Sequence, residues 1–327
     1  MQPRAITAIF ATLLASWALV AAAAGKPDYS TGEVFAFSGM PDGSAAAPLD
    51  GKFFAAASDE ENILRIYSRD EPSKVLWSIN LNSFLKANSK HPESDIEAAA
   101  RIGDRIYWIS SGSSSRSGHT DRNKFFATDI VAGKEFPKLK PAGKPNNQVL
   151  VEMANDPQFE KYNLKSALNG PAKGDDSLNV EGLSAMPDGQ LLIGLRAPLY
   201  KDKALAIPLL NPAEVVEGKP AKFGPAKELA LGYRGIRDIA FFQGTYYILA
   251  TGEKHLDPPQ LFTWTGGDAE PVKAKGAHLH HLNPEGLVIF PDLEGRRILV
   301  LSDDGQASKA KTRNFRAVWL DRLPEKP

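Results

Sequence analysis

One polar position recurs at the start of similar hairpins, and this repeat constrains the fold more than any other feature of the chain. Each copy has an apolar run, a turn containing Gly or Asp, and a second apolar run that ends in a polar loop. The recurring position is occupied in order by Gly43, Glu97, Glu181, Arg237 and Glu285, at intervals of 54, 84, 56 and 48 residues. Antiparallel units with a period of about 50 residues predict an all-β fold, a β-propeller of five or six blades.

The interval of 84 residues holds an additional segment, about 131–177. It begins rich in Pro and Lys, and residues 156–168 have the pattern of a short helix capped at Asn155 or Asp156. We predict a helical insertion here, with a divergent sixth blade as the alternative. Residues 33–37 are predicted to complete the last blade beside the C-terminal strand and so close the ring. An open β-sandwich is the alternative fold, but it does not explain why one polar position recurs.

The N-terminal residues have the organisation of an export signal. A short positive segment, residues 1–4, precedes the apolar residues 5–20 and four alanines that suit signal peptidase. The alternative is a membrane anchor, but this apolar stretch is shorter than the roughly 20 residues that a span requires. We therefore predict a signal peptide over residues 1–24, a single propeller domain over 25–327, a periplasmic or secreted location, and no membrane span after signal removal.

Charge and cysteine content exclude some partners. Lys plus Arg equals Asp plus Glu at 39 each, and there is no cysteine. Nucleic acids and acidic membranes attract proteins with a basic surplus, so neither is predicted as a partner. The absence of cysteine suits an oxidising compartment but leaves the fold without disulfides.

The repeat also predicts where a ligand would bind. If each blade runs outwards from the axis, the recurring position begins the innermost strand, and the loop after the second strand lies on the same face. The candidate catalytic residues on that face are Glu97, Glu181, Glu285 and His119. The candidate substrate-binding residues are Arg196, Arg237, Asp59 and Asp303.

Several chemistries are open to this set. Clustered carboxylates raise one another's pKa or bind a cation, and without cysteine the hard cations Ca²⁺ and Mg²⁺ are favoured, although the metal cannot be assigned. In the alternative, each Glu accepts backbone N–H groups of a neighbouring blade and only holds the ring together. The run of His278, His280 and His281 is a weaker candidate for a transition metal, and we expect it in an exposed loop. The arginines suit a small anionic ligand.

Several segments resemble the bacterial domain-of-unknown-function family 3616, which implies a propeller-like fold. They are residues 95–99, 106–109, 178–183, 206–212, 235–237 and 299–305. The Glu-Gly-Leu segments are similar, more distantly, to phytase-like esterases and calcium-dependent lactonase propellers. This second resemblance implies metal-assisted hydrolysis of a phosphoester, ester or lactone.

Two classes of function therefore stand side by side. One is the metal-assisted hydrolase, with His119 activating water. The other is a non-catalytic binding propeller for a small anionic molecule or a protein partner. The chain contains no nucleophile elbow, phosphate-binding glycine loop, dinucleotide fingerprint or His-Glu-x-x-His motif.

Overall fold

The hairpin repeats form five antiparallel sheets in the computed structural model, which describes residues 27–113, 122–170, 176–252, 257–305 and 313–324. The N-terminal strands are β1 (Tyr29–Thr31) and β2 (Phe35–Ser38). Blade 1 contains β3 (Ala45–Pro48), β4 (Phe53–Ser58), β5 (Glu61–Ser68) and β6 (Trp77–Asn80). Blade 2 contains β7 (Ile96–Ile102), β8 (Arg105–Ser110), β9 (Phe125–Val131) and β10 (Lys138–Asn146). Blade 3 contains β11 (Asn179–Ala185), β12 (Leu191–Ala197), β13 (Ala204–Leu209) and β14 (Lys227–Leu229).

The remaining strands complete two further blades. Blade 4 contains β15 (Arg234–Phe242), β16 (Thr245–Gly252), β17 (Gln260–Trp264) and β18 (Val272–Lys273). Blade 5 contains β19 (Pro284–Ile289), β20 (Arg297–Ser302) and β21 (Asn314–Arg322), with β1 and β2 paired to β21. The α-helices of the described chain are α1 (Asn82–Leu85), α2 (Val149–Asn155), α3 (Leu164–Leu168) and α4 (Pro212–Val215), and 3₁₀ turns occur at Pro157–Tyr162 and Pro291–Leu293.

The innermost strands form a closed ring. Strands β3, β7, β11, β15 and β19 each contact the innermost strand of the next blade, and β19 returns to β3. The ring is fastened where the N-terminal β2 pairs with β21, with Phe35 opposite Ala317. The predicted β-propeller and the predicted pairing of the two chain ends are therefore confirmed, with five blades rather than six.

The hydrophobic core consists of five clusters, each between two adjacent blades. Because successive side chains of a strand point to opposite faces, each blade can bury one face against each neighbour. Between blades 1 and 2, for example, the fully buried Trp108 and Phe126 pack with Ala55 and Leu64. Each core is therefore shared by two blades.

The segment 131–177 divides into two parts. Strand β10 pairs antiparallel with β9 and is the outer edge of blade 2. Its lysines and prolines are typical of edge strands, which explains why its strand pattern is weak in the sequence. The helical insertion is thus confined to α2, the 3₁₀ turn and α3, where Asp156 caps the turn by accepting from the N–H of Gln158 at 3.0 Å. Its apolar side chains pack between blades 2 and 3.

The predicted signal peptide, residues 1–24, lies outside the described residues. No helix within the described ranges is long and apolar enough to cross a bilayer.

A buried carboxylate joins blades 4 and 5. Asp238 of β15 is 4% exposed and accepts from the N–H of Leu287 in β19 at 2.6 Å and from the N–H of Ile239 at 2.7 Å. Burial raises the pKa of Asp238 well above its ordinary value, and the two N–H donors oppose that rise. Asp238 therefore accepts backbone N–H groups of a neighbouring blade, the structural role that was the alternative for the glutamates.

We predict that Asp238→Ala lowers the free energy of unfolding by about 2–4 kcal/mol, because it leaves two buried N–H groups without their acceptor. Chemical denaturation followed by circular dichroism measures this change. The matched control is Asp104→Ala in the exposed turn of blade 2, where the expected loss is within about 0.5 kcal/mol. Equal stability of the two variants would show that Asp238 does not hold the blades together.

Candidate functional site

A β-bulge occurs at the recurring position in four of the five innermost strands. In β7 the paired residues jump from Ile96 to Ala98, so that Glu97 has no partner on β8. The same jump occurs at Glu181, Arg237 and Glu285. A bulge releases a residue from the ladder and re-aims its side chain. The recurring polar side chains are thereby directed to one mouth of the axial channel, where they meet.

Arg237 is the centre of a buried network that joins three blades. It is 3% exposed, and its guanidinium lies 3.0 Å from an Oε of Glu181 on blade 3 and contacts Glu285 on blade 5. The other Oε of Glu181 accepts from Arg196 at 2.8 Å and from Asn179 at 2.9 Å. Arg196 also leaves the ladder of its strand, since the pairing jumps from Ala197 to Leu195. The carboxylates of Glu181 and Glu285 are therefore both paired with arginine side chains.

A second group, entirely acidic, occupies the side of the mouth formed by blades 1 and 2. Asp59, Asp95 and Glu97 each place one carboxylate oxygen within 4.8 Å of the other two. Asp59 follows β4 in the loop to β5, whereas Asp95 immediately precedes β7 and Glu97 is its second residue. Asp42 and Asp303 lie near enough to act electrostatically on Asp59. The carboxylate of Glu97 has no hydrogen bond or salt bridge with any described residue.

Asp95, a member of the acidic group, has an unusual backbone conformation. Its φ of 56° lies in the left-handed region, which Asp adopts more readily than most residues. Its carboxylate accepts from Ser111 and from Ser113 at 3.3 Å, and Arg122 lies 3.2 Å away. Strain of this kind concentrates at functional sites, where neighbouring contacts hold it in place.

Burial and mutual repulsion raise the pKa of the acidic side chains. Burial first, then the charges of Asp42, Asp303 and Asp95, raise the pKa of Asp59 to about 9. Burial and then Asp303 raise the pKa of Asp42 to about 6, against the hydrogen bond from Ser58. Burial, Asp95 and Glu181 raise the pKa of Glu97 well above its ordinary value. At neutral pH this side of the mouth therefore retains protons unless a cation neutralises it.

The structure brings most of the predicted residues together. Glu97, Glu181, Glu285 and Arg237 converge, with Arg196 and Asp59 in contact with this set and Asp303 on the adjoining loop. None of the three glutamates accepts a backbone N–H from the described residues; Glu181 and Glu285 are paired instead with Arg237, which joins blades 3, 4 and 5. His119 lies outside the described residues.

The histidine run does not join the site. His278, His280 and His281 are exposed in the connection between blades 4 and 5. Within the described ranges, the group of Asp59, Asp95 and Glu97 is the one cluster of possible metal ligands.

Two site residues were missed by the sequence analysis. Asp95 stands two positions before Glu97, and Asp42 stands immediately before Gly43. Asp42 is fully buried and accepts from Ser58 at 2.8 Å and from Ser44 at 3.1 Å. The signal was an acidic residue just upstream of the recurring position, but a search restricted to that position passes over it.

A family comparison agrees with this fold and these motifs. Residues 132–321, more than half of the chain, match the family described as Protein of unknown function (DUF3616). The chain belongs to this family. A comparison with curated proteins finds no match.

Solved structures of other propellers share the fold at low sequence identity. The glutaminyl cyclase of Myxococcus xanthus is 11% identical with a TM-score of 0.51, and the alignment covers 92% of this chain and all of that one. The major allergen Mala s 1 of Malassezia sympodialis is 10% identical with a TM-score of 0.54, over 89% of this chain and 96% of that one. An enzyme and an allergen on one scaffold show that the function of this DUF3616 protein must be argued from its site.

The raised pKa values predict how stability depends on pH. Asp59 binds a proton more tightly in the folded than in the unfolded chain, so its contribution is fully present below the ordinary pKa near 4 and is lost as the pH rises towards 9. Without divalent cations, we expect the free energy of unfolding to fall by on the order of 1–2 kcal/mol between pH 5 and pH 8. Asp59 is half-buried rather than fully buried, so solvent screens part of the effect, and the expected fall in stability is smaller than the full pKa shift would give.

Asp59→Asn removes this titration, so denaturation at both pH values in EDTA should show a flatter profile and a higher stability at pH 8. Asp104→Asn, in an exposed turn, should keep the wild-type slope. A profile for Asp59→Asn that is as steep as wild type would contradict the assignment.

Proposed function

We propose that the channel mouth binds a divalent cation through Asp59, Asp95 and Glu97 and uses it to hydrolyse a phosphoester, ester or lactone. The observation that carries this proposal is the approach of three carboxylate oxygens to within 4.8 Å of one another, with Asp95 buried and Asp59 and Glu97 half-buried. Three like charges at this separation repel strongly unless protons or a cation balance them.

The chemistry of the donor set fits a hard cation. Ca²⁺ binds oxygen at about 2.3–2.6 Å, so two ligands of one ion lie at most about 5 Å apart, as these oxygens do. All three side chains supply carboxylate, which suits Ca²⁺ or Mg²⁺ better than zinc. The raised pKa values imply that cation binding displaces protons and becomes tighter as the pH rises.

The neighbouring residues have distinct parts in this proposal. A bound cation polarises the scissile carbonyl or phosphoryl group and lowers the pKa of water. Arg196, half-buried beside Glu181, is placed to bind an anionic group of the substrate. Glu181 and Glu285 position the arginines, since their carboxylates are already paired. His119 is retained as the proposed base, and Asp303 as a residue of the binding rim.

A second candidate is the non-catalytic propeller that binds a small anionic molecule or a protein partner. It is favoured by the same pairing of Glu181 and Glu285 with Arg237, which leaves these two glutamates unable to exchange protons with a substrate. Both candidates are proposed for the periplasm or the exterior, as the export-type N-terminus predicts.

Titration with Ca²⁺ or Mg²⁺ should raise the melting temperature of the wild type, by about 5 °C when the ion is present at about 100 times its Kd. Glu97→Gln should abolish the rise, because it removes a ligand while keeping the shape of the side chain. Asp104→Asn is the matched control and should respond as the wild type does. A wild-type melting temperature that no divalent ion changes would remove the support for the metal site.

Hydrolysis separates the two candidates. The wild type should release nitrophenol from nitrophenyl phosphate or nitrophenyl acetate, or open a γ-lactone, only when the stabilising cation is present. Arg196→Ala should raise KM more than it lowers kcat, whereas Glu97→Gln should abolish turnover. Cation binding without turnover of any of these substrates would favour the binding propeller.

A further inference from the structure

Tyr233 is the most exposed large apolar side chain among the described residues. It is 64% exposed, and the other three of this class, Val34, Leu210 and Leu323, are 39–44% exposed. Tyr233 lies in the connection from β14 to β15, which enters β15 at the end that carries Arg237. The connection that carries Tyr233 therefore lies on the face of the channel mouth, whereas Leu210 and Leu323 follow strands that end at the opposite face.

The backbone of Tyr233 is in a conformation that bulky residues avoid. Its φ is 62°, directly after Gly232 with a φ of 65°. The other described non-glycine residues with positive φ are Lys86, Asp95, Asn163, Lys201, Asp202, Gln243 and Glu294. All seven are polar, and Asn and Asp tolerate this region best. A glycine at position 233 would relieve the strain, so the presence of an aromatic residue here is not explained by backbone stability.

Contacts on both sides hold this strained turn in place. Leu231 is fully buried between blades 3 and 4. The guanidinium of Arg234 donates to the carbonyl of Gly232 at 2.8 Å and to that of Pro258 at 3.3 Å. The ring itself has no aromatic or hydrogen-bonding partner among the described residues. The fold therefore holds the backbone of Tyr233 in place and leaves its ring exposed to solvent.

The turn that carries Tyr233 is also close in the chain to a backbone contact with Arg196, the proposed substrate-binding residue. A side chain added at Gly235 would approach the carbonyl of Arg196 to 2.0 Å, so the backbones of blades 3 and 4 touch there. Arg196 in turn donates to Glu181 at 2.8 Å. Tyr233 stands two residues from this contact.

We propose that Tyr233 is an aromatic platform of the binding site and that the ligand carries a ring, aromatic or sugar, which stacks on it. The inference rests on the proposed function for the placement of the site, and it adds the class of ligand. An aromatic face attracts another ring through offset stacking and burial of its apolar surface.

The test uses small probes with and without a ring, in Ca²⁺ buffer, by isothermal titration or saturation-transfer NMR. The probes are phenyl phosphate against methyl phosphate, and phenyl β-glucoside against methyl β-glucoside. The variants are Tyr233→Gly, which removes the ring and the strain, and Tyr233→Phe, which keeps the ring. Tyr233→Gly should bind the stacking probe roughly 2- to 12-fold more weakly. Its affinity for methyl phosphate should be unchanged, and its melting temperature should be no lower than that of the wild type.

The outcomes separate the two proposals. Loss of affinity for phenyl phosphate and phenyl glucoside alone identifies an aromatic ring, and loss for methyl glucoside as well identifies a sugar. Equal affinities of wild type and Tyr233→Gly for every ring-bearing probe would overturn the platform. If the wild type does not bind methyl phosphate, the proposed cation and arginine site fails, while the neutral glucosides still report on Tyr233.

Discussion

The arrangement of the channel mouth depends on the ion pairs of one buried guanidinium. Arg237 of blade 4 contacts Glu181 of blade 3 and Glu285 of blade 5, and all three are almost fully buried. Burial lowers the pKa of Arg237, but a guanidinium keeps its proton at any pH at which the protein folds. A buried charge whose partner is removed costs several kcal/mol, so each of the three side chains holds the other two at the axis. The innermost strands of blades 3, 4 and 5 are thereby joined at the bulges that release these residues.

This pairing leaves the rest of the mouth with an excess of negative charge. The arginines on blades 3 and 4 pair with Glu181 and Glu285. The other acidic side chains of the mouth, on blades 1, 2 and 5, are close enough to act electrostatically on one another; they are Asp42, Asp59, Asp95, Glu97 and Asp303. Arg122 reaches Asp95 but also pairs with Glu93. The fold thus separates a region of fixed ion pairs from a region whose charge must be balanced by protons or by a cation. In the second region, chemistry or ligand exchange can occur without breaking the ion pairs that join blades 3, 4 and 5.

The hairpin period was enough to predict the propeller, and the recurring polar position was enough to predict which side chains meet at its mouth. Two features could not be predicted from the sequence, for physical reasons. The number of blades depended on β10, whose lysines and prolines conceal an edge strand. Asp42 lies in a buried turn, and Asp95 has a left-handed backbone conformation. Neither conformation produces a sequence pattern of fixed spacing. His119 stays a prediction, because it lies outside the described residues.

The central claim is that the acidic side of the mouth is a cation site, and diffraction from crystals grown with Mn²⁺ tests it most directly. The anomalous signal of the ion reports its position independently of any assumption about ligands. The account predicts an anomalous peak bounded by Asp59, Asp95 and Glu97, at metal–oxygen distances of about 2.0–2.6 Å. A mouth without such a peak, in crystals that hold Mn²⁺ elsewhere on the protein, would contradict it.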